Sequence, residues 1–205
     1  NFVLIYIGVF TVFIFSVVPI LFVTEQRDLK TEASTAKDGT STATQTQWGQ
    51  LFRIYFAHAF SWIGVQTMFV YIIAYIQQKL IPIGASQAEI SAQSGQIIAI
   101  SFAVLNTVGF ILPAFVLEPI AEKIGRVKTH LRCVATMALA NFCIVAFAVT
   151  PFSLNALMAF AGIGWAAIVS LPFAIMTEKV DKGRMGFFMG IFNLSDVLPQ
   201  LIVTL

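Results

Sequence analysis

Residues 154–176 read LNALMAFAGIGWAAIVSLPFAIM, twenty-three positions without a charged side chain. At 1.5 Å per residue a helix of that length crosses a hydrocarbon core about 30 Å thick. The segment does not alternate apolar and polar residues, so it is not a barrel strand, the other element that can cross a bilayer. A fully apolar helix in water would need a large soluble protein around it. This chain has 205 residues. The reading of the whole fold therefore turns on whether the rest of the chain repeats the pattern.

It does. Working outward, apolar runs cover Gly186–Leu205 after this segment and Leu131–Val149, Ser94–Leu117, Leu51–Gln78 and Phe2–Val23 before it. Hydrophobic residues make up 58% of the chain and charged ones 11%, against roughly a quarter charged in a soluble domain. Mean hydropathy is +0.86. The expected fold is an all-α membrane protein of about six transmembrane helices, with the lipid bilayer as its surroundings. A net charge of +2, with no basic patch interleaved with aromatics, gives no footprint for nucleic acid.

The connectors set an orientation. Lys and Arg number three in each of 24–50, 118–130 and 177–185, one in 79–93, and none in 150–153. Positive-inside topology places 24–50, 118–130 and 177–185 in the cytoplasm. Residues 24–50, rich in Thr, Ser, Ala and Gln, read as a flexible linker with Trp48 as an interfacial anchor near its end. Cys133 and Cys143, roughly 15 Å apart on one helix, are beyond disulfide reach and read as small buried hydrophobes. No signal peptide is legible at Asn1.

Two stretches carry a resemblance. The connector EPIAEKIGRVKTH at 118–130 resembles the signature loop of the major facilitator superfamily, G-x-L-x-D-R-x-G-R-R/K. Ile120, Glu122, Lys123, Gly125 and Arg126 fit in type, whereas Glu118 and Val127 depart from it. The run KGRMGFFMGIFN at 182–193, continuing to Leu198-Pro199-Gln200, resembles the opening of helix 11 in the glycoside/sucrose-type sugar:cation symporter branch. Gly162–Ala166 with Ser170–Phe173 is similar to helix 10 of that branch, and Phe60-Ser-Trp62 to its helix 7.

The resemblance implies a piece of a twelve-helix bundle. Residues 1–23 would be helix 6, 24–50 the central cytoplasmic linker, and 51–205 helices 7–11 of the C-terminal half. Helices 1–5 and 12 of the parent chain would be the partners completing it. The implied activity is symport of a sugar, as glycoside or disaccharide, coupled to a proton or sodium gradient by alternating access. The implied location is a plasma membrane or bacterial inner membrane. No cofactor beyond the coupling H+ or Na+ is expected. In the family, the loop holding Glu122, Lys123, Gly125 and Arg126 latches the cytoplasmic gate; plain positive-inside retention explains the same charges.

Polar residues inside spans are the site candidates, because an unpaired dipole or charge in lipid is costly. Asn193, Asp196 and Gln200 fall at i, i+3 and i+7 and share one helical face. They read either as a substrate-binding stripe with Asp196 as coupling group or as interhelical polar glue. Tyr55, His58, Trp62 and Gln66 form a second stripe at i, i+3, i+7 and i+11. Rings pack on sugar C–H faces while amides pair hydroxyls; alternatively His58 bonds a backbone carbonyl. Gln96, Ala99, Ala103, Asn106 and Phe110 mark a third face, and Met158, Gly162, Trp165 and Val169 a fourth, with Trp165 a sugar-stacking platform or a packing residue. Gly186 and Gly190 form a GxxxG pattern expected to pack closely. Pro113, Pro172 and Pro199 are expected to kink their helices.

Other functions fit less well. A membrane enzyme would need clustered catalytic groups or metal-ligand spacing, but His58 and His130 are the only histidines. No metal site or enzymatic activity is expected. A channel would need a filter, and no re-entrant segment is legible. A structural scaffold, or a carrier of another small polar solute on the same fold, is the remaining alternative.

Overall fold

A computed structural model describes residues 2–21 and 46–205. Contacts divide the chain into units at Asn1–Ala43 and Thr44–Leu205. The first unit holds α1, Phe2–Leu21, a 20-residue helix without a charged side chain. Residues 24–45 of the expected linker lie outside the described residues.

The second unit is a bundle of α2 (Trp48–Lys79), α3 (Gln87–Leu112), α4 (Glu118–Ile124), α5 (Arg126–Phe147), α6 (Pro151–Thr177) and α7 (Met185–Thr204). Among the described residues five helices are long and apolar enough to cross a membrane: α2, α3 continued through α4, α5, α6 and α7. Their outer faces carry large apolar side chains. Phe110, Phe142, Val145 and Phe152 stand 66–84% exposed, which water would not tolerate and lipid does.

The helices begin before their apolar runs do. α2 starts at Trp48 rather than Leu51, because Trp48 packs on Phe52 and Phe188 at 6.1 and 5.5 Å. Its first turn is also pinned where Gln47 N–H donates to the Lys179 carbonyl. α3 starts at Gln87 rather than Ser94. Ser86 and Glu89 close a capping box that satisfies otherwise unpaired N–H groups, so polar residues 87–93 wind as helix. Thr150 and Ser153 do the same for α6.

The connector 118–130 is an elbow rather than a loop. Pro113 cannot donate to the Gly109 carbonyl, and the ladder widens into a π-turn over Pro113–Leu117 before resuming as α4. Gly125, at φ +91° and ψ 144°, is the sole residue between α4 and α5. That backbone region belongs to glycine. Although open space surrounds the position, Gly125→Ala is expected to cost about 1–3 kcal/mol through strain alone. A thermal melt in detergent indistinguishable from wild type would show that the elbow relaxes.

α6 is the central post. It buries 56% of its most apolar window, against 17–22% for the other four spans, and it packs on α3 and α5. Glycines make that approach close. A Cβ on Gly162 would lie 2.9 Å from the Leu105 carbonyl oxygen, and one on Gly164 only 2.3 Å from Met137 Cβ. Gly186 and Gly190 have nothing within 4 Å. The expected GxxxG contact is therefore absent among the described residues, because that face of α7 meets no helix there. Cys133 and Cys143 are free thiols.

The ends of the helices sort cleanly. Residues 46–47 bond to 179–181, and Arg126 pairs with Glu178, so the three segments share one end of the bundle. α2 and α7 both start there and run parallel. α3 and α6 run together in the opposite sense.

Candidate functional site

Four helices deliver one continuous aromatic and polar cluster near the middle of the bundle. α2 contributes Tyr55, His58, Trp62 and Phe69. The His58 ring stacks on Phe192 of α7 at 4.6 Å with a 17° tilt, and Tyr55 packs on the same ring at 5.8 Å. The Trp62 indole N–H donates to His58 Nε2 at 3.0 Å. Trp62 in turn meets Trp165 of α6 edge-on at 5.7 Å. Trp165 donates its own indole N–H to Asn106 Oδ1 of α3 at 3.2 Å. Phe69 abuts Trp165 at 5.7 Å, closing the ring.

Local sequence explains why the pieces converge. The α2 residues share a face by helical spacing. Trp165 finds room because Gly109 lies opposite it, where a Cβ would sit 2.5 Å from Trp165 Cδ1. Asn106, one turn before Gly109, is thereby brought level with the indole nitrogen, while its amide N–H2 donates back to the Phe102 carbonyl at 2.8 Å. His58 is buried, Trp62 and Trp165 are half-buried, and Asn106 is exposed.

His58 makes no backbone hydrogen bond among the described residues, which corrects the carbonyl-bonded reading. Its Nε2 accepts from an indole and its Nδ1 is buried without a partner. Trp62, one turn along the same helix, occupies Nε2 as its donor, and among the described residues no carbonyl accepts from Nδ1.

On α7, Gln200 Nε2 donates to Asp196 Oδ1 at 2.8 Å, so those two share a face and the carboxylate is held within its own helix. Asp196 is half-buried and Asn193 exposed. Because α2 and α7 run parallel and Phe192 is level with His58, Asp196 one turn on stands at the depth of Trp62. Gln66, half-buried, lies one turn beyond Trp62. Phe192, Phe69 and Gly109 belong to the cluster and escaped the sequence reading. Phe192 was detectable as the position four before Asp196 on the same face.

At the bundle end, the Arg126 guanidinium pairs with Glu178, both about half exposed, while Glu122 and Lys123 are exposed. Arg126, Glu178 and Glu122 border a hollow of about 780 Å³ between the α3–α5 elbow and the end of α6, lined also by Leu117, Ala121, Leu171 and Ile175. That hollow is separate from the aromatic cluster. Among the described residues no three His, Cys, Asp or Glu side chains gather to hold a metal. The chemistry available is ring stacking, hydrogen bonding and one mid-helix carboxylate.

Polar groups thus sit at mid-depth on several apolar helices, above a charged glycine elbow. Comparison with known families matches residues 1–204 to the Major Facilitator Superfamily. The chain belongs to the major facilitator superfamily. Neither the curated proteins nor the solved structures compared with it include a match. As a superfamily member it is an integral membrane protein of a transporter family. The 118–130 segment, which resembles the superfamily's signature loop, folds as two helices about one glycine.

Proposed function

We propose that this superfamily chain forms one wall of a sugar:cation symporter, taking a glycoside or disaccharide. The observation carrying the proposal is the Trp62–Trp165–Asn106 arrangement. Two indoles at right angles beside an amide pair an apolar ring face with hydroxyl partners, the complement of a pyranose. Gln66, Asn193 and Gln200 extend the polar lining, and Asp196 carries the coupling H+ or Na+. A second set of helices completes the cavity, and the two bundles rock about it. Residues 118–130 and 177–185, with 24–50, face the cytoplasm, where Arg126–Glu178 and the neighbouring Glu122 and Lys123 hold the gate about Gly125.

The test is uptake by the full protein in proteoliposomes, offering a panel of labelled mono- and disaccharides under proton and sodium gradients. Saturable, gradient-driven accumulation of a saccharide is expected. Trp165→Ala should raise its KM about tenfold, the weight of one lost stacking contact, with the bundle intact. If no saccharide is taken up while another polar solute is, the sugar reading falls and the carrier remains.

A further inference from the structure

The Trp62–His58 bond has a direction that matters. Indole nitrogen is a donor only, so His58 Nε2 must present its lone pair and Nδ1 must carry the proton. Among the described residues that Nδ1 is buried and unpartnered, in a side chain 96% buried by its 4% exposure. A single side chain thus holds Trp62 in place through the one atom where an added proton would bind. We propose that His58 is a proton-operated latch on the substrate platform: when Nε2 takes a proton, it releases Trp62 and so loosens the paired tryptophans.

The step balances simply. Nε2 gains a proton from the aqueous side, its lone pair becomes an N–H bond, and the imidazolium carries the charge; nothing is oxidised or reduced. Trp62 loses its acceptor, because two N–H groups cannot share that site. The imidazolium keeps Phe192 across its face at 4.6 Å, a ring that favours a cation. Trp62 is free to turn, and Trp165, which it meets edge-on, loses one support.

The charged and titratable neighbours are few. α7 brings Asp196 one turn past Phe192 and Arg184 over Phe188. α5 brings His130, whose charge would act on His58. α2 itself carries Tyr55 and the exposed Arg53, and α6 has no titratable residue. On α3, Glu89 lies in the first turn, at the opposite end of the bundle. His58 and His130 are the only histidines, so a titration of imidazole character belongs to one of them.

The transport arm rests on the sugar reading above; the spectroscopic arm does not. In nanodiscs holding the full protein, acrylamide quenching of tryptophan emission should rise as the pH falls from 8 to 3.5. The rise should persist in His130→Gln and vanish in His58→Gln and in Trp62→Phe. Sugar KM should climb about tenfold over the same range in wild type and stay flat with pH in His58→Gln. A quenching change that survives in His58→Gln, or none in wild type, overturns the latch. If His58→Gln does not fold, 15N-histidine spectra of Trp62→Phe decide. Losing the bond that favours the neutral ring should raise proton affinity about fivefold, and an unchanged affinity overturns the proposal. Absent saccharide uptake with an intact quenching titration sinks only the sugar reading.

Discussion

Gly164→Leu should yield no folded bundle, and Gly164→Ala should lose about 3 kcal/mol of stability. A Cβ at Gly164 would lie 2.3 Å from Met137 Cβ and 2.8 Å from the Cys133 carbonyl oxygen. Neither neighbour is the far end of a flexible side chain. Relief therefore requires α5 and α6 to move apart. They cannot part freely, since two residues earlier Gly162 presses α6 against the Leu105 carbonyl on α3. Two residues are about 200° of helix, so the glycines face opposite neighbours and α6 is clamped between them. Alanine would gain roughly 1 kcal/mol of helix propensity, which overpacking of 1–3 kcal/mol or more outweighs at such distances. Gly190→Ala is the matched control: with open space around it, only the propensity gain remains. Thermal unfolding in detergent separates them. A Gly164→Ala melt at or above that of Gly190→Ala would mean that α5 and α6 are not in close contact.

The same glycines show where sequence reading works in this fold and where it stops. Length and apolarity of each run are local properties, and a helix too long and greasy for water declares itself one residue at a time. All five membrane-length spans of the bundle lie on expected runs. Their ends do not, because Ser86 with Glu89, and Trp48 with Phe188, extend a helix by pairing polar or aromatic groups outside the apolar run. Segment 118–130 looked like a loop for its charges, yet Glu118–Ile124 is helix-forming and Gly125 alone breaks it. Small-residue patterns misled for a related reason. GxxxG at 186–190 marks a face that permits close approach, while Gly162 and Gly164 are where helices come close, and nothing in a single helix states which face finds a neighbour.

The cluster divides along the same line. Tyr55, His58, Trp62 and Gln66 align by helical spacing, as do Asp196 and Gln200, and both stripes were readable from period alone. The pairing of Trp165 with Asn106, the stacking of His58 on Phe192, and the recess at Gly109 are contacts between helices. They depend on axial register and on crossing, which hydrophobic periodicity leaves open. Hence the stripes were visible and their meeting was not.

Asp196→Asn in the full protein should reduce accumulation to simple equilibration while leaving exchange of substrate across the membrane intact. Asp196 is the carboxylate at mid-helix on α7, held by Gln200 at 2.8 Å and standing at the depth of Trp62. Asparagine keeps the size and still accepts that hydrogen bond, so the fold and the lining should survive. What disappears is the charge. One elementary charge carried through 100 mV supplies about 2.3 kcal/mol, enough for roughly fiftyfold accumulation at 1.4 kcal/mol per decade. Without a titratable or cation-binding group that drive has no handle on the substrate, and the internal to external ratio should approach about one. Counterflow, which needs only a cycling binding site, should run near its ordinary rate. The two assays in parallel make the role of the charge explicit. Loss of both would mark Asp196 as a structural or binding residue, and accumulation unchanged from wild type would remove it from coupling and leave another group to carry the cation.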